Sequence, residues 1–187
     1  MISKEIIEKT KEFAYFQTEK YLTPLMIHIE IANKKGQELS EKLGSNKDIV
    51  LLGTLLMDCM LGIAVKEGKK EKHIEMSAEK AKEFLSQFTE MTAEEKNNVV
   101  HCVEQHHGVE KFYSIEAEIC CNADCYRFLS AKGIIGGIRH FRDMELAKLV
   151  KLFICKAEEK WNVLSLDICK KELKPQYKAI KEFLSKF

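Results

Sequence analysis

The segment 49-IVLLGTLLMDCMLGIAV-65 decides how the rest of the chain is read, because it is almost wholly apolar and carries a single charge, Asp58, near its middle. A membrane span needs about 20 such residues, and an aspartate at its centre costs roughly 2.5–3.5 kcal/mol to insert. A core helix that carries one functional acid explains the same residues without that cost. The segment therefore predicts a helix over 46–61 with Asp58 at its end. The stretch 62-GIAVKEGKKEK-72 then reads as a loop that delivers His73.

Helical periodicity continues on both sides. Thr23-Pro24 has the form of an N-cap followed by proline at the first helical position, which opens a helix to about Lys42 that stops before Gly44 and holds His28 in its second turn. A helix over 74–88 places Ile74, Ala78, Ala81 and Leu85 on one face. The capping-box pattern 92-TAEE-95 starts another that ends near His107-Gly108, and Ser114 caps one that runs to about Ser130. The glycines of 131-AKGIIGG-137 break the pattern, and helices follow at about 138–160, 166–173 and 175–186. No run alternates polar and apolar residues long enough for a strand. The expectation is an all-α, single-domain helical bundle spanning 1–187.

Composition removes several classes of function. Thirty Lys and Arg against 29 Asp and Glu leave a net charge of +1, which argues against a nucleic-acid polymer or an anionic membrane as partner. The opening MISKEIIEKTKEFAYF is charged every few residues and lacks the apolar stretch of a secretory signal, so a cytoplasmic location is expected. Seven cysteines without a CxxC pair read as reduced, mostly buried thiols.

Chemistry gathers at five positions: His28, Asp58, His73, His106 with its neighbour His107, and Asp124 within 119-ICCNADCYRFL-129. Imidazole and carboxylate are the donors that hold hard or borderline divalent cations, and helix ends are where they can converge. Each has a plainer reading. His106 and His107 could serve only the negative end of a helix, and Asp58 could be a solvated acid at a helix end. Asp124 resists that reading, since an unpaired carboxylate on an apolar helix face is costly. His101 lies about 140° around the helix from His106 and reads as structural. His140, with Arg139 and Arg142, could offer positive charge to a phosphate near the cleft, although a charged helix face is the commoner reading.

The pieces His28, 57-MD-58, 73-HIEMSAEKA-81, 101-HCVEQHHG-108 and 116-EAEICCNADCYRFL-129 resemble, in order and type, the HD superfamily of metal-dependent phosphohydrolases. The resemblance covers residues 20–130 as an HD-like core and leaves 131–187 as a C-terminal helical extension packed on it. It implies a divalent ion (Mn, Mg, Fe, Co, Ni or Zn) held among His28, Asp58, His73, His106, His107 and Asp124. Asp58, His73 and His106 take catalytic roles. The substrate would be a nucleotide or other small phosphorylated metabolite, and a homodimer stays open. One departure stands out: the tandem His-Asp is Met57-Asp58, with a thioether in place of an imidazole. Restoring His at 57 is therefore expected to tighten metal binding. The departure also keeps a second reading alive, a module that has the fold and binds metal or nucleotide in sensing or assembly without turnover.

Overall fold

A computed structural model describes residues 2–187. The elements in order are α1 (Lys4–Tyr21), α2 (Met26–Leu43), α3 (Lys47–Leu56), α4 (Leu61–Lys66), a 3-10 turn (Lys70–Lys72), α5 (His73–Ser86), α6 (Ala93–Gln105), α7 (Ile115–Leu129), α8 (Ala131–His140), α9 (Leu146–Val163) and α10 (Asp167–Leu184). No strand occurs among the described residues, and the all-α expectation holds.

Local chemistry sets several helix starts. Ser3, Asn46, Thr92 and Ser114 each accept a hydrogen bond from a first-turn amide, which occupies donors the helix itself leaves open. Thr92 and Glu95 form the reciprocal capping box that their spacing implies.

The fold is organised around α7, which packs against α2, α3, α6, α8, α9 and α10. Twelve of its 15 residues are buried, so it is covered on every side rather than along one stripe. The buried ionisable groups on α7 must therefore find their partners inside the protein. The apolar segment Lys47–Lys66, read as a core helix, is two-thirds buried (67%). It is two helices, α3 and α4, joined by a turn at 57–60 that presents Asp58.

Several boundaries differ from expectation. The Thr23–Pro24 peptide is cis and belongs to a turn, and α2 starts only at Met26. Residues 62–66 belong to α4 rather than to a loop, because Ala64 is fully buried where α4 meets α1 and α5. The glycine-rich 131–137 is helical rather than a break. Its glycines permit close packing: a Cβ on Gly133 would collide with the Arg127 carbonyl, and one on Gly137 would lie 2.5 Å from the Phe153 ring. The C-terminal helices begin at Leu146 and Asp167, and α10 runs through Pro175. The amide that Pro175 lacks faces the exposed side of α10, where water can serve the orphaned carbonyl.

Candidate active site

Six elements bring the titratable side chains together. Asp58 comes from the turn after α3, His28 from the first turn of α2, and His73 from the first residue of α5. His106 and His107 follow directly on the C-terminus of α6. Asp124 and Arg127, one turn apart on α7, share a face, and Lys160 reaches in from α9.

Four of these groups form a closed ionic cluster. Arg127 Nη1 donates to Asp58 Oδ2 at 2.5 Å and to Asp124 Oδ1 at 2.6 Å. The Lys160 ammonium lies 2.6 Å from the other Asp124 oxygen. Relative exposures are 6% for Asp58, 1% for Asp124, 4% for Arg127 and 1% for Lys160, so none of the four charges is solvated. Their mutual pairing is what makes that burial tolerable. Burial alone would raise the Asp58 and Asp124 carboxyls, but Arg127 beside Asp58, and Lys160 and Arg127 beside Asp124, hold both well below the usual carboxylate range.

Next to it stands a cluster of imidazoles. His73 and His106 each donate Nδ1–H to a backbone carbonyl, of Lys70 and Val103 respectively, at 2.7 Å. These bonds fix the tautomer that leaves both Nε2 lone pairs free. The two Nε2 atoms lie 3.5 and 3.6 Å from the same oxygen, Asp58 Oδ1, too far for hydrogen bonds. Asp58 Oδ1 and His106 Nε2 are accordingly buried polar atoms without a hydrogen-bond partner. His107 completes the group: donor atoms of His73, His106 and His107 all lie within 4.8 Å of one another. Burial pulls His73 below the ordinary imidazole value and takes His107 down to about 3, with the neighbouring His106 adding to the latter. Both are therefore neutral, the state in which a ring nitrogen can ligate.

The donor set suits a divalent ion. Bonds of 2.0–2.2 Å at tetrahedral angles put neighbouring ligand atoms roughly 3.3–3.6 Å apart, which matches the spacing of Asp58 Oδ1 from its two imidazoles. Two unpartnered buried atoms facing each other are costly unless something binds between them. The side of Asp58 that faces Asp124 is different, because Arg127 occupies it.

The cluster lies at the floor of a cleft of about 470 Å³. His28, Asp58, His73, His107 and Asp124 line it, and His106 lies beneath, fully buried and 4.4 Å from the His107 ring. His28 turns its Nε2–H to the Gly133 carbonyl at 3.2 Å and packs edge-on against Phe128. Burial, then the Arg127 charge, pushes His28 down to about 4. Lys70, Lys156 and His140 add positive charge potential to the walls, while Leu22, Leu25, Phe141 and Met144 make an apolar side.

All six expected site residues thus reach one region, but not one ligand set. His73, His106, His107 and Asp58 form the imidazole cluster. His28 and Asp124 border the cleft with hydrogen-bonding or ionic partners of their own. Met57 is 1% exposed and is not among the residues that line the cleft. His101 stacks near Tyr113, away from the site.

Sequence reading missed Arg127 and Lys160. Arg127 had a signal, its i,i+3 spacing from Asp124 on an apolar helix, whereas Lys160 sits in 156-KAEEK-160 and looks like ordinary surface. His140 does line the cleft, as the less common of its two readings has it.

No protein-family model matches the chain, and no curated protein matches it. Solved structures do. A Lactobacillus plantarum protein superposes with a TM-score of 0.71 at 15% identity, covering 100% of this chain and 97% of its own. A Bacillus thuringiensis HD-superfamily hydrolase gives 0.67 at 21% identity over 98% of this chain and 95% of its own. A predicted HD superfamily hydrolase from an uncultured Thermotogales bacterium gives 0.64 at 15% identity over 96% and 90%. The chain has the HD-domain fold. Within the HD-domain fold its imidazoles form a cluster able to share a metal ion, while its second acid is paired to side chains of the same chain.

Proposed function

We propose that the protein is a metal-dependent phosphohydrolase that acts on a small phosphorylated metabolite or nucleotide. The observation that carries the reading is the pair of unpartnered buried atoms, Asp58 Oδ1 and His106 Nε2, facing each other beside His73 and His107 at the floor of a cleft. His73, His106, His107 and Asp58 hold the ion. A divalent cation so bound supplies Lewis acidity toward a phosphoryl oxygen and lowers the pKa of water.

The chain's own groups do the rest. The Lys70 and Val103 carbonyls keep both imidazoles in the ligating tautomer. Asp58 is shared, one oxygen toward the imidazoles and one toward Arg127. Lys70 and Lys156 offer charge to a phosphate entering the cleft, and the apolar wall opposite receives the remainder of the substrate. The structural likeness to an HD-superfamily hydrolase supports the reaction class.

The test is metal analysis of protein purified without chelators, joined to a panel of phosphate mono- and diesters with Mn, Co, Mg or Ni. Turnover that disappears in His106→Ala supports the reading. Absence of bound metal together with absence of turnover under every ion retires it. The second reading, a ligand-binding module without turnover, is favoured by one specific feature, the neutralisation of Asp124 by Arg127 and Lys160. Metal or nucleotide binding without hydrolysis would select it.

A further inference from the structure

We propose that Arg127 is a resident cation that takes the place between Asp58 and Asp124, so that this acid pair holds no metal ion in this chain. The family resemblance would have both acids grip an ion. A single guanidinium nitrogen instead contacts one oxygen of each acid, at 2.5 and 2.6 Å. The remaining Asp124 oxygen carries Lys160. Two carboxylates therefore face two permanent positive charges, and the quartet is neutral before any ion arrives. A divalent cation entering there would meet two like charges that have no exit, since all four side chains are buried. Met57 agrees with this arrangement: the position that should add an imidazole holds a buried thioether outside the cleft lining, a poor ligand for the harder ions. The consequence is a metal stoichiometry of at most one per chain, confined to the imidazole side of Asp58.

Ion counts, rather than turnover, report on the acid pair. The wild-type chain titrated with Mn²⁺ by calorimetry and checked by elemental analysis is expected to bind no more than one ion. Asp124→Asn should leave that count unchanged. Two ions per wild-type chain, one of them lost in Asp124→Asn, would overturn the proposal. A count of zero, joined to no turnover under any ion, ends the hydrolase reading above and leaves this one standing, so the two fail separately.

Removing the resident cations gives the positive arm. The double variant Arg127→Ala/Lys160→Met, purified with Mn²⁺ present, leaves the acids unneutralised. It is expected to bind one ion more than wild type and to melt roughly 6–20 °C lower when the metal is stripped, with recovery on adding Mn²⁺ back. A folded variant with no extra ion and no Mn²⁺-dependent recovery overturns the proposal. Should the variant fail to fold, the wild-type and Asp124→Asn counts decide alone.

Discussion

The Lys160 ammonium lies 2.6 Å from Asp124, and neither residue is more than 1% exposed. Removing one member strands a buried charge, which costs about 3–5 kcal/mol. Asp124→Asn should therefore melt roughly 6–20 °C below wild type in a chain of this size. Lys160→Met should also destabilise, and the double change should cost less than the sum of the singles. Calorimetric melting of the three variants checks this; strict additivity would show that the pair does not couple.

Acid should destabilise the fold in two overlapping steps. His28 is depressed from 6.5 to about 4, first by burial and then by Arg127. The unfolded chain binds this proton at higher pH than the folded one, so stability rises with pH from about 4 to 6.5 and is level above. The shift corresponds to something on the order of 3 kcal/mol across that window. Asp58 and Asp124 are depressed carboxylates, whose contribution is present above the ordinary carboxylate range and lost as pH falls through and below it. Melting temperatures from pH 3 to 8 should show both parts, and His28→Leu should lessen the slope of the upper one without abolishing it, because His107 is depressed as well, to about 3. An unchanged slope in His28→Leu would assign that step elsewhere.

His106 Nε2 has no partner of its own, so His106→Gln removes a ligand without disturbing a hydrogen bond from that atom. Metal affinity should fall at least about tenfold. Isothermal titration with Mn²⁺ or Zn²⁺ measures it, and equal affinity in the variant would place the ion elsewhere.

Met57→His should bring no gain in metal affinity, contrary to what the sequence resemblance alone implies. The position is buried outside the cleft lining, and Arg127 already occupies one of the two Asp58 oxygens. Titration of the variant against wild type checks it, and tighter binding would put residue 57 back among the ligands.

Much of this architecture was legible in the residues. Thr92 with Glu95, Ser114 and the apolar face of α5 announce their helices because each signal is local. The convergence of His28, Asp58, His73, His106, His107 and Asp124 was visible because their types and order resemble one family. What failed to show were relations settled only by packing. Gly133 and Gly137 look like helix breakers until Arg127 and Phe153 are seen to need the space. Pro175 looks like a boundary until its missing amide is found on the wet side of α10. Lys160 reads as surface until α9 is laid against α7, and only then does the sign of the charge at Asp124 become clear.

Asp124 and Arg127 ride on one helix, whereas Asp58 belongs to a turn built from a distant part of the chain. The guanidinium therefore acts as a dowel that sets the axial register of α7 against the α3–α4 corner. Slippage of that helix by a single residue would swing both groups about 100° out of alignment at once, so the chain can vary its cleft walls freely while the depth of its floor stays fixed.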